Sequence, residues 1–107
     1  MTTAINQARR LDSDACARFQ ELFEIVGRRW SVAIILATRD GKRFGEIRDG
    51  VRGISERLLA ERLRELTAHG ILERSLDATV VRYRLTACGN DLLTQLGPVI
   101  SWAERWN

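Results

Sequence analysis

Apolar residues recur along this chain mostly at helical spacing. Cys16, Phe19, Phe23 and Val26 follow at intervals of 3, 4 and 3, with Leu22 and Ile25 widening the stripe, so a helix is predicted there. Gly27 interrupts it. From Trp30 to about Thr38 the segment SVAIILAT is apolar nearly all round, the pattern of a buried helix. Asp40-Gly41 closes it with a turn. Phe44, Ile47 and Val51 then share one face of a short helix, and Gly50 and Gly53 bracket the turn after it. Ser55 is a favourable N-cap, and Glu56 sits in the first turn, where the helix dipole favours an acid. Leu59, Leu63 and Leu66 form the inward stripe of the next helix, and Gly70 stands where a helix C-cap is wanted. The period then changes. Ile71-Leu72 and the alternating Val81, Tyr83 and Leu85 predict two strands joined by a tight loop near Asp77-Ala78. Thr86 can cap a last helix. Residues before about Asp14 are polar and mixed, and read as a loosely held arm or a frayed helix.

The run from Phe44 to Arg74 therefore has the organisation of a helix-turn-helix, whose second helix is the one that enters a DNA groove. With Leu59 pointing inward, Arg57, Ala60, Glu61 and Arg64 fall on the opposite face, and Ser55 lies at the tip that meets base edges. Arg57 and Arg64 suit guanine edges or phosphate, Glu61 suits cytosine N4, and Ala60 allows close approach or contact with a thymine methyl. The plainer alternative is that Arg57 and Glu61, four apart, form only a surface ion pair worth a few tenths of a kcal/mol. Arg62 lies nearer the buried stripe and is expected to spread its stem on the core and pair with an acid. The hairpin beside this helix makes a wing, carrying Arg74, Arg82 and Arg84, with Arg82 and Arg84 on one face of their strand. Arg43, Ser55, Glu56, Arg57, Ala60, Glu61, Arg64, Arg82 and Arg84 form the candidate DNA-binding set.

The last helix carries Leu92, Leu96, Val99, Ala103 and Trp106 at intervals of 4, 3, 4 and 3, a seam of about two heptads. Ile100 and Leu93 broaden it. Trp102 and Trp106 near its end are costly to leave in water, so pairing of terminal helices across a two-fold axis is predicted, with Phe19, Leu92, Leu96, Val99, Trp102 and Trp106 in the interface. The alternative is a helix folded onto its own domain. Pro98 should kink or restart this helix.

Composition adds little about fold but something about partners. The 107 residues are enough for one domain with a modest core, divided into an arm over 1–14 and a DNA-binding domain over 15–107. The reading unit is placed at about 44–86, and the dimerisation helices at about 15–27 and 87–106. Net charge is only +3, yet 16 of the 17 basic residues are arginine, Lys42 being the exception, and arginine favours bidentate contacts to phosphate and guanine. Two cysteines make no disulfide framework, and with a single histidine they make no metal cluster. No apolar run approaches membrane-spanning length, so a cytoplasmic protein with reduced thiols and no cofactor is expected. No Ser/His/Asp, Cys/His or paired-carboxylate constellation is recognisable, which argues against an enzyme.

Taken together, these residues resemble the HxlR family of bacterial transcriptional regulators, a winged-helix group related to the MarR regulators. The resemblance runs from about Cys16 to Trp106. It rests on Cys16 ahead of the first core helix, on Gly27-Arg28-Arg29-Trp30, and on Arg43, Phe44, Glu46, Ile47 and Arg48. Gly53-Ile54-Ser55 leads into Leu59, Arg62, Leu63, Arg64, Glu65 and Leu66. Gly70, Leu72, Glu73 and Arg74 match the entry to the wing, and Tyr83, Leu85, Thr86 and Gly89 its exit, with Trp102 in the final helix. The resemblance implies a mostly α fold with a small β-hairpin wing, a winged helix-turn-helix dimerising through its N- and C-terminal helices. It implies a homodimer on double-stranded DNA, bound at a pseudo-palindromic operator. Family reading helices usually carry a polar pair where this chain has Ala60-Glu61, so a different operator is expected. The wing from Asp77 to Val81 is shorter than the family's and lacks its prolines and arginine, and Pro98 is a further departure.

Several relatives sense oxidants or electrophiles at the position of Cys16. Here Arg18 is near and Asp12 and Asp14 oppose it, while the apolar stripe on which Cys16 lies is also where buried, inert cysteines are common. Both readings stand, a redox sensor and a packing residue; Cys88, without a family counterpart, reads as structural. The expectation is a sequence-specific regulator with an oxidant or small-molecule effector. The alternative is a winged-helix protein-interaction module without specific DNA binding.

Overall fold

The computed structural model describes residues 13–107. The arm expected before Asp14 lies almost wholly outside these. The order is α1 (Ser13–Val26), α2 (Ser31–Ala37), α3 (Phe44–Gly50), α4 (Glu56–Ala68), β1 (Leu72–Asp77), β2 (Val80–Leu85) and α5 (Ala87–Trp106). The strands form an antiparallel hairpin in which Leu72 faces Leu85, Arg74 faces Tyr83 and Asp77 faces Val80. Ala78, left-handed with φ of 56°, makes the two-residue turn with Thr79.

The core gathers where α2, α3, α4 and the base of the hairpin meet. Ile34, Ile35, Ile47, Leu59, Leu63, Leu66 and Leu72 are fully buried in it, with Ile25 and Val26 reaching in from the end of α1. The inward stripe of α4 is therefore the one its spacing predicts. On α2 the apolar character extends too far round for burial to follow it: Ile34 and Ile35 are enclosed, but Leu36 is exposed. The Thr38 hydroxyl, buried at the end of α2, donates to the carbonyls of Ile34 and Ile35 at 3.1 and 3.0 Å, which removes the cost of enclosing it.

Three local arrangements position the reading unit. Trp30 has a left-handed backbone, φ of 81°, a conformation sparsely populated for a bulky residue. Its ring packs over Gly53, φ of 91°, where a side chain would press on the indole edge, and the Arg29 guanidinium lies 4.8 Å from the ring centre. Lys42 exchanges two backbone hydrogen bonds of 2.8 Å with Tyr83, laying the segment before α3 against β2. The Thr86 hydroxyl accepts from the Gly89 amide at 3.0 Å and caps α5. Gly89 is buried so close to the Ile71 carbonyl that a Cβ would collide with it.

α5 runs unbroken through Pro98, so the restart expected there does not occur. Pro98 is solvent-exposed, and its missing N–H frees only the carbonyl of Thr94, itself an exposed residue that water can serve. No helix among the described residues is long and apolar enough to cross a membrane.

Candidate nucleic-acid interface

The reading helix α4 begins where its sequence says. Ser55 is extended, and its Oγ accepts from the Leu58 amide at 3.1 Å, satisfying one of the helix's free N–H groups. That cap fixes the rotation of everything after it. With Leu59, Leu63 and Leu66 turned inward, Arg57 projects into solvent with 92% of its side chain exposed, Arg64 is exposed beyond it, and Ala60 and Glu61 lie part-covered between them. Arg57 Nε lies 3.6 Å from Glu61 Oε1. Such a pair at the surface is worth well under about 1 kcal/mol, so it orients the two groups without locking them.

Two other predicted site residues, Glu56 and Arg43, are engaged in contacts within the fold. Arg48 donates to Glu56 at 2.6 Å and to Asp49 at 3.2 Å, tying the end of α3 to the first turn of α4. Arg43 Nε donates to Glu46 at 3.3 Å, and the Arg43 amide donates to the same carboxylate at 2.9 Å. That backbone hydrogen bond, followed by the guanidinium, holds the Glu46 carboxyl below its ordinary pKa and caps α3. Arg62 is only 13% exposed and donates to the Arg29 carbonyl and to Glu65, which also pairs with Arg28. It joins α4 to the α1–α2 junction, as its place beside the buried stripe led us to expect.

On the hairpin, Arg82 and Arg84 share the outer face with Asp77. One carboxylate oxygen of Asp77 lies 3.7 Å from Arg82 and 3.5 Å from Arg84. Arg74 lies on the opposite face, across from Tyr83 and toward α4. Counting along β2 separates the faces of that strand, but placing Arg74 requires the cross-strand register, which the spacing alone does not supply.

Away from the reading unit, α1 and α5 present apolar side chains outward. Phe19 and Phe23 are each 57% exposed and pack ring to ring at 4.7 Å; Val99, Trp102 and Trp106 are exposed on α5. Leu92 and Leu96 are half-buried and line an apolar groove of about 220 Å³ with Leu22, Phe23, Val26 and Val99. Cys16 and Cys88 are both exposed free thiols. Packing into the protomer's own core, one of the readings for Cys16 and the reading for Cys88, is therefore not what is found. α1 delivers only its final residues, Ile25 and Val26, to that core, so the earlier part of the stripe, with Cys16, Phe19 and Phe23, faces outward.

Residues 25–107 match the family model of HxlR-like helix-turn-helix proteins. The chain is 38% identical over 95 residues to the HTH-type transcriptional regulator YodB of Bacillus subtilis strain 168, covering 85% of each protein. It is 37% identical over 98 residues to the HTH-type transcriptional regulator YvaP of the same organism, covering 88% of this chain and 91% of that one. The crystal structure of quinone-bound YodB superposes with a TM-score of 0.76 at 36% identity, covering 85% of this chain and all of the other.

Proposed function

The chain belongs to the HxlR-like helix-turn-helix family of transcriptional regulators, and we propose that it acts as a homodimer recognising a specific pseudo-palindromic operator. The observation that carries this reading is the presentation of α4: a capped, core-anchored helix with Arg57 almost wholly in solvent at its N-terminal end. That is the part of a reading helix that meets base edges. Ser55, Arg57, Ala60 and Glu61 read bases, Arg64 meets a base edge or a phosphate, Arg82 and Arg84 hold the flanking backbone, and Arg43 and Glu56 position the reading unit, which spans about residues 44–86. The two half-sites lie about 34 Å apart, one helical turn. Pairing through α1 and α5 supplies the two-fold axis, covering Phe19, Leu92, Leu96, Val99, Trp102 and Trp106.

Titration against DNA from the protein's own promoter region tests the reading. A specific regulator prefers one site and loses affinity steeply with added salt. Binding that is absent or indifferent to sequence at physiological salt would overturn it and leave a protein-interaction module.

The effector is an oxidant or a soft electrophile of the quinone class, received at Cys16. The exposed thiol in α1 and the quinone-bound state of the relative YodB support this. Diamide or a quinone should weaken operator binding by the wild type and not by Cys16→Ser. Unchanged affinity in the treated wild type would end it.

A further inference from the structure

Between α4 and the hairpin lies a cleft of about 460 Å³. Arg64 and Thr67 line it from the helix, Arg74 and Tyr83 from the strands, over a floor that includes Ala60 and Leu63; no acidic side chain lines it. Its two arginines, like Arg52 in the turn before α4, differ from the other arginines of the reading unit. Arg57 is paired with Glu61, Arg82 and Arg84 share Asp77, Arg43 meets Glu46 and Arg48 meets Glu56. Arg64 and Arg74 have no acidic partner within 4.0 Å among the described residues. The Thr67 hydroxyl is enclosed without a hydrogen-bond partner among them. Two uncompensated guanidiniums and the Tyr83 side chain with its hydroxyl around one opening form a donor set for a phosphate.

Resting on the regulator reading above, we propose that this cleft seats a phosphodiester of the DNA ridge between the groove read by α4 and the groove flanked by the hairpin. When a helix occupies a major groove and its wing flanks the adjacent minor groove, the sugar-phosphate backbone between the grooves passes over the gap between helix and wing. Arg74 and Arg64 grip that phosphate, with the Tyr83 hydroxyl donating from the strand side and Thr67 enclosed beneath. Arg74 thereby becomes a DNA-contacting residue, and Arg64 a backbone contact more than a base reader. A contact of this kind sets register and carries no sequence information.

The test is fluorescence anisotropy of the full chain on its operator and on an unrelated duplex across a salt series, comparing wild type with Arg74→Gln and Thr67→Val. Arg74→Gln should weaken binding to both duplexes by the same factor. Because Arg64 remains on the same phosphate, the substitution should also make the slope of log affinity against log salt shallower by at most about 1.8, the limit set by a slope near 0.9 per phosphate and two clefts per dimer. In a set of duplexes each bearing one neutral methylphosphonate, two members, one per half-site, should weaken the wild type more than they weaken Arg74→Gln. Thr67→Val, which removes only an enclosed hydroxyl, should leave both the affinity and the slope unchanged, as the control for a merely structural effect. An unchanged slope for Arg74→Gln, or a loss confined to the operator, overturns the cleft while leaving the regulator reading intact. A wild type that binds no DNA removes both. If millimolar inorganic pyrophosphate stabilises the DNA-free wild type but not Arg74→Gln, and DNA affinity is equal in the two, the cleft holds a free anion and the proposal fails.

Discussion

The Ser55 hydroxyl is 3.1 Å from the Leu58 amide, at the one place where the chain turns from an extended approach into the reading helix. Removing it in Ser55→Ala should cost about 1 kcal/mol, measured as a lower urea midpoint at unchanged slope. Glu46 does the same for α3 through the Arg43 amide, and its folded pKa lies below the unfolded one. The stabilisation is therefore present above the unfolded carboxylate value and lost as pH falls through the folded one. Glu46→Gln should be less stable than wild type near neutrality and converge with it below roughly pH 4 in acid titrations followed by circular dichroism. Arg57 and Arg82 separate by what they can touch. Arg57→Ala should relax base preference in a binding-site selection experiment, whereas Arg82→Ala should weaken all sequences alike. Equal, non-selective losses for both would contradict that division of roles.

Gly89 shows how closely α5 is seated on the hairpin. A methyl group in its place must displace the Ile71 carbonyl, so Gly89→Ala should destabilise by about 2 kcal/mol in denaturant unfolding despite its better helix propensity. Elements fixed by local chemistry were legible from sequence. The caps at Ser55 and Thr86, the Leu59-Leu63-Leu66 stripe and the change of period into the hairpin all act within a few residues. Other features depend on segments distant in sequence. The Lys42–Tyr83 bridge joins a single residue to a strand some forty positions on and leaves no periodic trace. Which arginines have acids beside them is likewise a matter of register, as Asp77 with Arg82 and Arg84 illustrates. Pro98 misled because the rule it obeys concerns a lost bond, and the carbonyl it frees belongs to an exposed residue, Thr94.

The apolar face formed by α1 and α5 was visible as two stripes, but a stripe does not say whether it meets its own core or another chain. In the folded protomer, Trp102 is 54% exposed and Trp106 70%, and each large apolar side chain left in water forgoes about 1.5–3 kcal/mol. Val99→Glu, placed at an exposed position, should leave circular dichroism unchanged and convert the protein to a monomer in light scattering; a protein already monomeric as wild type would dispose of the pairing.

The junction between α1 and α2 has a mechanical consequence. Trp30 is pressed over Gly53, Arg62 bonds the Arg29 carbonyl, and Arg28 reaches Glu65, so three fastenings tie the root of α1 to the turn and flank of α4. α1, 14 residues long, and α4, 13 residues long, are thereby linked through the junction that follows α1, with Cys16 near the opposite end of α1. A small tilt of α1 in a paired molecule would swing the two reading helices apart or together, mistuning their separation against the pitch of DNA without unwinding either. Release from DNA would then register as a changed distance between spin labels on the two α4 helices, at constant helix content.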